Sequence, residues 1–106
     1  MFDDFEIKGV SENYAHVVVN TNFDRESVPE FTKKIKPSIL GMRDIVLEFA
    51  PKVKVDSCGV GAMIDLYRTV HSNGGRLALV YDDIKVLHQL ENYRLEKFFD
   101  RISSSL

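Results

Sequence analysis

The chain has 106 residues and a mass of 12.1 kDa, so it fits one domain of the usual size, about 100–150 residues, spanning positions 1–106, with no room for a second core. Its 14 basic residues are set against 16 acidic ones, with a pI of about 5.9, and no stretch carries the clustered positive footprint that phosphate neutralisation requires; binding to nucleic acid is not expected. Hydrophobic residues at 44% and charged residues at 28% argue against disorder, and a chain of this length buries roughly 65% of its unfolded surface, enough for a core without staples. The lone cysteine, Cys58, excludes an intramolecular disulfide and any cysteine-based zinc site built by this chain alone. The start, MFDDFEIKG, lacks the basic and apolar regions of a signal peptide, and no apolar run approaches the roughly 20 residues that span a bilayer. The expectation is a cytoplasmic, soluble domain with no membrane partner.

Phe5 to Val10 reads as a short strand, Ser11-Glu12-Asn13 as a polar break of hairpin length, and the β-branched run Tyr14 to Val19 as a second strand. Asn20 to Asp24 supplies loop residues. Ser27-Val28-Pro29-Glu30 predicts a helix start with Ser27 as cap and Glu30 completing a capping box. Val28, Phe31, Ile35 and Ile39 follow on one helical face, and Pro37 is expected to end or kink that helix near Lys36. Asp44 to Phe49 reads as a strand with Ile45, Leu47 and Phe49 on one side, and Ala50 to Val55 as a connection.

From Asp56 to Gly75, the residues Val60, Met63, Ile64, Tyr67 and Val70 make a helical stripe, and Gly74-Gly75 is a stop, since glycine takes the left-handed conformation without a Cβ clash. Arg76 to Tyr81 predicts a strand buried on both faces. Asp82-Asp83 can cap a third helix paced by Ile84, Leu87 and Leu90, and Phe98 to Ile102 reads as a last short strand. The order β-β-α-β-α-β-α-β defines an α/β domain: a mixed, mostly parallel sheet of four to five strands with three to four helices, the first two strands antiparallel and the rest joined by right-handed crossovers.

Few motifs with chemistry survive inspection. His16, His71 and His88 stand apart, with no shared ligand spacing, so no metal site is expected. Gly59-Val60-Gly61 opens a helix as a dinucleotide fingerprint would, but the third glycine position is Ile64. No Gly-Lys-Ser/Thr occurs, no nucleophile elbow forms around Ser57, and Asp82-Asp83 lies too late for a receiver-type phosphoacceptor. The remaining constellation is Asp56-Ser57-Cys58-Gly59-Val60-Gly61. One reading is structural: Asp56 or Ser57 caps a helix and small residues admit a neighbouring loop. The other adds that a hydroxyl at a helix N-terminus is exposed where N–H groups and the dipole accommodate a phosphate. Cys58 is open to two readings likewise, a small filler or a redox handle.

These residues resemble the signature of the STAS family, whose founding members are the bacterial anti-anti-sigma factors: Asp-Ser-small-Gly-aliphatic-Gly opening a helix, then Gly-Gly and a Leu-alternating strand. Here that is Asp56 to Gly61, then Gly74-Gly75-Arg76-Leu77-Ala78-Leu79, with Asn22-Phe23-Asp24 like the family's ending of the second strand. The likeness runs over roughly positions 5 to 102. It implies a partner switch: the unphosphorylated protein binds a kinase-fold anti-sigma factor and releases its sigma factor, the kinase phosphorylates Ser57, and a metal-dependent serine phosphatase resets the site. Carried over, Asp24, Asp56, Ser57, Cys58, Gly59 and Gly61 form the partner-binding surface; no residue is catalytic and no cofactor is needed. Thr21, Pro37, the pair Lys52 and Lys54, and Cys58 depart from the family pattern. Two further expectations compete with the switch: a non-switching STAS subunit of a signalling scaffold or lipid-transport complex, and a small-ligand sensor above the helix N-terminus.

Overall fold

Backbone pairing converts these periodicities into one five-stranded sheet of order β1-β2-β3-β4-β5. The computed structural model describes residues 4–39, 41–81 and 100–102. β1 (Phe5–Val10) and β2 (Tyr14–Val19) form an antiparallel hairpin closed by the Ser11 N–H donating to the Tyr14 carbonyl at 2.9 Å. The register slips between Ile7 and Gly9, so Lys8 is the extra residue of a bulge on this edge strand. β3 (Asp44–Phe49) pairs parallel with β2, Ala15 opposite Ile45 through Val19 opposite Phe49, and β4 (Arg76–Val80) pairs parallel with β3. β5 (Asp100–Ile102) adds a parallel edge beside β4, within the strand expected at the end of the chain. The third helix expected after Asp82 lies outside the described residues.

The helical connection between β2 and β3 departs from expectation at its cap, while at Pro37 the expected disturbance takes the form of a change of register. Ser27 is the N-cap by position, yet its hydroxyl makes no cap bond and there is no capping box. It is buried, and its Oγ donates instead to the Asn22 carbonyl at 2.6 Å. Asp24 does the capping work, its Oδ1 accepting from the Glu26 and Ser27 N–H groups at 3.0 and 3.2 Å. Pro37 does not end the helix. The chain runs from α1 (Val28–Glu30) through a π-helical segment (Phe31–Ile35) into α2 (Lys36–Ile39), with the Lys36 N–H reaching back to the Phe31 carbonyl. Widening the hydrogen-bond register just before the proline absorbs its missing N–H and its ring without breaking the helical path. Lys36 also pairs with Asp65, tying this helix to the next.

α3 (Ser57–Ser72) carries the longest buried stripe: Gly59, Val60, Met63, Leu66 and Val70. Leu66 belongs to the stripe in place of Ile64 and Tyr67, which are half-buried at its margin. With Phe31 and Ile39 these residues cover the sheet face formed by Ala15, Val17, Val19, Ile45, Leu47, Phe49, Leu77 and Leu79, making one core. Sequential parallel strands with same-handed crossovers place both helical connections on that face. The opposite face carries the alternate residues of the same strands, among them His16, whose Nε2 lies 2.7 Å from Glu48 Oε1. The histidine is therefore engaged with a carboxylate on a neighbouring strand. His71 stacks on Tyr67, ring centroids 5.6 Å apart.

Candidate functional site

Two loops leave the C-terminal ends of β2 and β3 on adjacent strands, and the backbone laces them together. Phe23 forms a parallel bridge with Val55. Its N–H donates to the Lys54 carbonyl at 2.8 Å, and its carbonyl accepts from the Asp56 N–H at 3.3 Å. Asn22 adds a side-chain stitch, its Oδ1 accepting from the Lys54 N–H at 3.0 Å. Asn22 and Asp24 thus both turn their carboxamide or carboxylate oxygens onto backbone N–H groups, as loop Asn and Asp do.

Asp56 begins α3 in an extended conformation, φ −102° and ψ −172°, and is its cap. Oδ1 accepts from the Gly59 N–H at 2.9 Å, while Oδ2 accepts from the Arg25 N–H at 3.3 Å. One carboxylate therefore satisfies the helix and holds the other loop. Gly59 is buried at the crossing: a Cβ there would collide with the Phe23 carbonyl oxygen. The close approach that Gly59 permits is internal, between α3 and the chain's own loop, and not toward a partner. Gly61 is the opposite case, exposed, with no atom within 4 Å of where a Cβ would stand.

Ser57 and Cys58 are exposed in the first turn of α3. Asp24 is half-buried in the neighbouring loop and joined to this surface through Arg25. The structure therefore brings Asp24, Asp56, Ser57, Cys58 and Gly61 to one end of the sheet, with Gly59 beneath them. Sequence reasoning passed over Arg25, and took Asn22 and Phe23 only as part of a family-like strand ending. A loop asparagine followed two residues later by an aspartate was the available signal for the lacing of these loops. Lys52, in the connection between β3 and α3, has φ 70°, an uncommon value for a residue with a Cβ. Beside this surface is a cleft of about 290 Å³ whose lining includes the acidic residues Asp4, Asp24, Glu26 and Glu30. Ser57 does not line it; its hydroxyl stands on open surface, where a macromolecule can cover it.

The signature, its placement on α3 and the sheet topology define a STAS domain, and the chain belongs to that family: the STAS domain sequence profile matches residues 6–106. Among solved structures it is similar to the anti-sigma factor antagonist SpoIIAA in its unphosphorylated form, with a TM-score of 0.77 at 18% identity over 95% of this chain and 88% of that one. The phosphorylated form of the Bacillus protein SpoIIAA gives a TM-score of 0.72 at 17% identity over 95% of this chain and 91% of that one. The Thermotoga maritima protein TM1081, described as a candidate anti-sigma factor antagonist, gives 0.77 at 23% identity, covering 96% and 87% of the two chains. At these identities the likeness establishes the fold. No curated protein sequence matches this one.

Proposed function

We propose that this STAS domain is an anti-sigma factor antagonist that works by partner switching, with Ser57 as the phosphorylated residue, and that it is a binding protein and not an enzyme. The observation that carries the reading is the exposed Ser57 hydroxyl directly after the Asp56 cap, on a first turn fixed from two sides. Likeness to SpoIIAA in both phosphorylation states supports it. In its unphosphorylated state the surface of Asp24, Asp56, Ser57, Cys58 and Gly61 docks on a kinase-fold anti-sigma factor. The terminal phosphoryl group of ATP then passes to the Ser57 oxygen, ADP leaves and the hydroxyl proton goes to the kinase. A metal-dependent serine phosphatase reverses the change by hydrolysis.

The energetics of such a switch are local. A phosphoserine carries about −1.5 to −2 charges. Set beside Asp24 and Asp56, it confronts a partner surface shaped for a neutral hydroxyl with an unpaired charge. A penalty of about 3 kcal/mol weakens binding more than a hundredfold. The fold is spared, because the charge sits at the positive end of α3. Gly61 keeps the exposed face of the first two turns low, so that a partner backbone can approach.

The test is incubation of the purified chain with its kinase-fold partner and ATP, followed by mass spectrometry. One phosphate on Ser57, absent in Ser57→Ala, is the expected result. A phosphate mapped reproducibly to another residue, or undiminished binding by Ser57→Glu, would replace the switch with the structural-subunit reading.

A further inference from the structure

Ser57 shares its surface with a cation. The Arg25 N–H is held by Asp56 Oδ2 at 3.3 Å, and the next two N–H groups, of Glu26 and Ser27, are held by Asp24 Oδ1 at 3.0 and 3.2 Å. The backbone of Arg25 is thereby fixed against the residue that immediately precedes Ser57. Its side chain is exposed and, among the described residues, enters no ion pair. Lys34 and Lys36, on the same helical connection, are by contrast paired with Glu30 and Asp65.

We propose that Arg25 reads the phosphorylation state of the site, its guanidinium closing on the phosphate once Ser57 carries one; the inference rests on the reading of Ser57 as the phosphorylated residue. The carboxylates of Asp24 and Asp56 would repel a phosphate placed beside them, and a counter-cation relieves that repulsion. Those carboxylates accept backbone N–H groups, and among the described residues the guanidinium enters no ion pair. A planar fork of donors matches a phosphate in a bidentate pair that a lysine ammonium cannot form, which favours Arg25 over Lys52 and Lys54 on the adjoining loop. Phosphorylation then has two effects at once. It adds negative charge to the docking surface, and it withdraws a cation that the unphosphorylated protein offers to its partner.

The experiment uses the full chain with phosphoserine installed at position 57 by codon reassignment, titrated by phosphorus NMR. The second ionisation of phosphoserine ordinarily falls near pH 6. In the otherwise unaltered chain it should fall lower than in Arg25→Ala by about one pH unit. Arg25→Lys should lie between them and Lys54→Ala should match the unaltered chain. Arg25→Ala keeps its N–H bond to Asp56, and equal thermal midpoints of the unphosphorylated proteins would confirm an intact fold. Coincident titrations of the unaltered chain and Arg25→Ala would overturn the proposal, as would a shift caused by Lys54→Ala alone. Because the phosphate is installed directly, this readout is separate from the kinase assay: a kinase that ignores Ser57 defeats the proposed function, whereas coincident titrations defeat only the role of Arg25.

Discussion

The two ends of α3 solve the same packing problem for different purposes. At the C-terminal end, Gly75 lies so close to β3 that a Cβ would collide with the Arg43 carbonyl oxygen, and Gly74 turns the chain with φ 75°. At the N-terminal end, a Cβ on Gly59 would likewise collide with the Phe23 carbonyl oxygen, less deeply than one on Gly75 would with Arg43. Each end thus wedges a glycine under a carbonyl of a neighbouring segment. The C-terminal end stops there. The N-terminal end also presents Ser57, Cys58 and Gly61 to solvent, residues whose small size serves no contact within the described chain at Gly61. A wedge alone is structure; a wedge with an exposed hydroxyl above it is a platform.

The largest test of that comparison is to fill both wedges. Gly75→Ala and Gly59→Ala should each cost about 3 kcal/mol or more, since the obstructing atom is backbone and cannot turn aside; urea denaturation midpoints measure this. If either is tolerated, the two ends are not equivalent anchors. Ser57→Glu should separate platform from anchor, weakening partner binding more than a hundredfold, about 3 kcal/mol, while the thermal midpoint stays with that of the parent. Asp56→Ala should cost about 1–2 kcal/mol of stability, because it frees the Gly59 and Arg25 N–H groups together. Gly61→Ala should raise stability by about 0.5–1 kcal/mol, as alanine does on an exposed helix, and still weaken partner binding by steric contact. The smallest effect belongs to Cys58→Ser, within about 1 kcal/mol in stability and without effect on binding; loss of partner binding there would make Cys58 a redox handle instead.

What could be read from the sequence followed from short-range rules. Strand alternation in Ile45, Leu47 and Phe49 and the Gly74-Gly75 stop each depend on residues near one another in the chain and stand in the structure, as does the helical period of α3, with Leu66 in its buried stripe in place of Ile64 and Tyr67. Ser27 misled because a carbonyl in the preceding loop competed with its own helix for the hydroxyl, whereas Pro37 disturbs the helix near Lys36 as expected, without ending it. The Ser27 hydroxyl found a better acceptor in the Asn22 carbonyl than its own helix offered, and the helix bypassed the proline by a change of register. Asp24 and the candidate site residues from Asp56 onward could be nominated from the sequence because the family signature names them. Arg25 could not, since its place depends on a hydrogen bond to a residue 31 positions away. Gly59 was recognised as a point of close approach, but its neighbour is Phe23, a contact that only the lacing of two loops reveals.

Phe23 belongs to two systems at once. Its ring makes edge contacts with Phe31 and Phe49 at centroid distances of 5.2 and 5.9 Å and meets Phe5 at 6.2 Å, while both its backbone polar groups serve the loops that carry Asp24 and Ser57. Loops that bind partners are ordinarily the first parts of a protein to open. Here the loop cannot lift without drawing a phenylalanine out of the core. In hydrogen exchange, the Phe23 and Asp56 amides should consequently be released only with the slowest amides of β2 and β3. The surface proposed to exchange partners is thereby held to the cooperativity of the whole domain, and under the proposed switch what changes on it is charge, with the underlying shape kept constant.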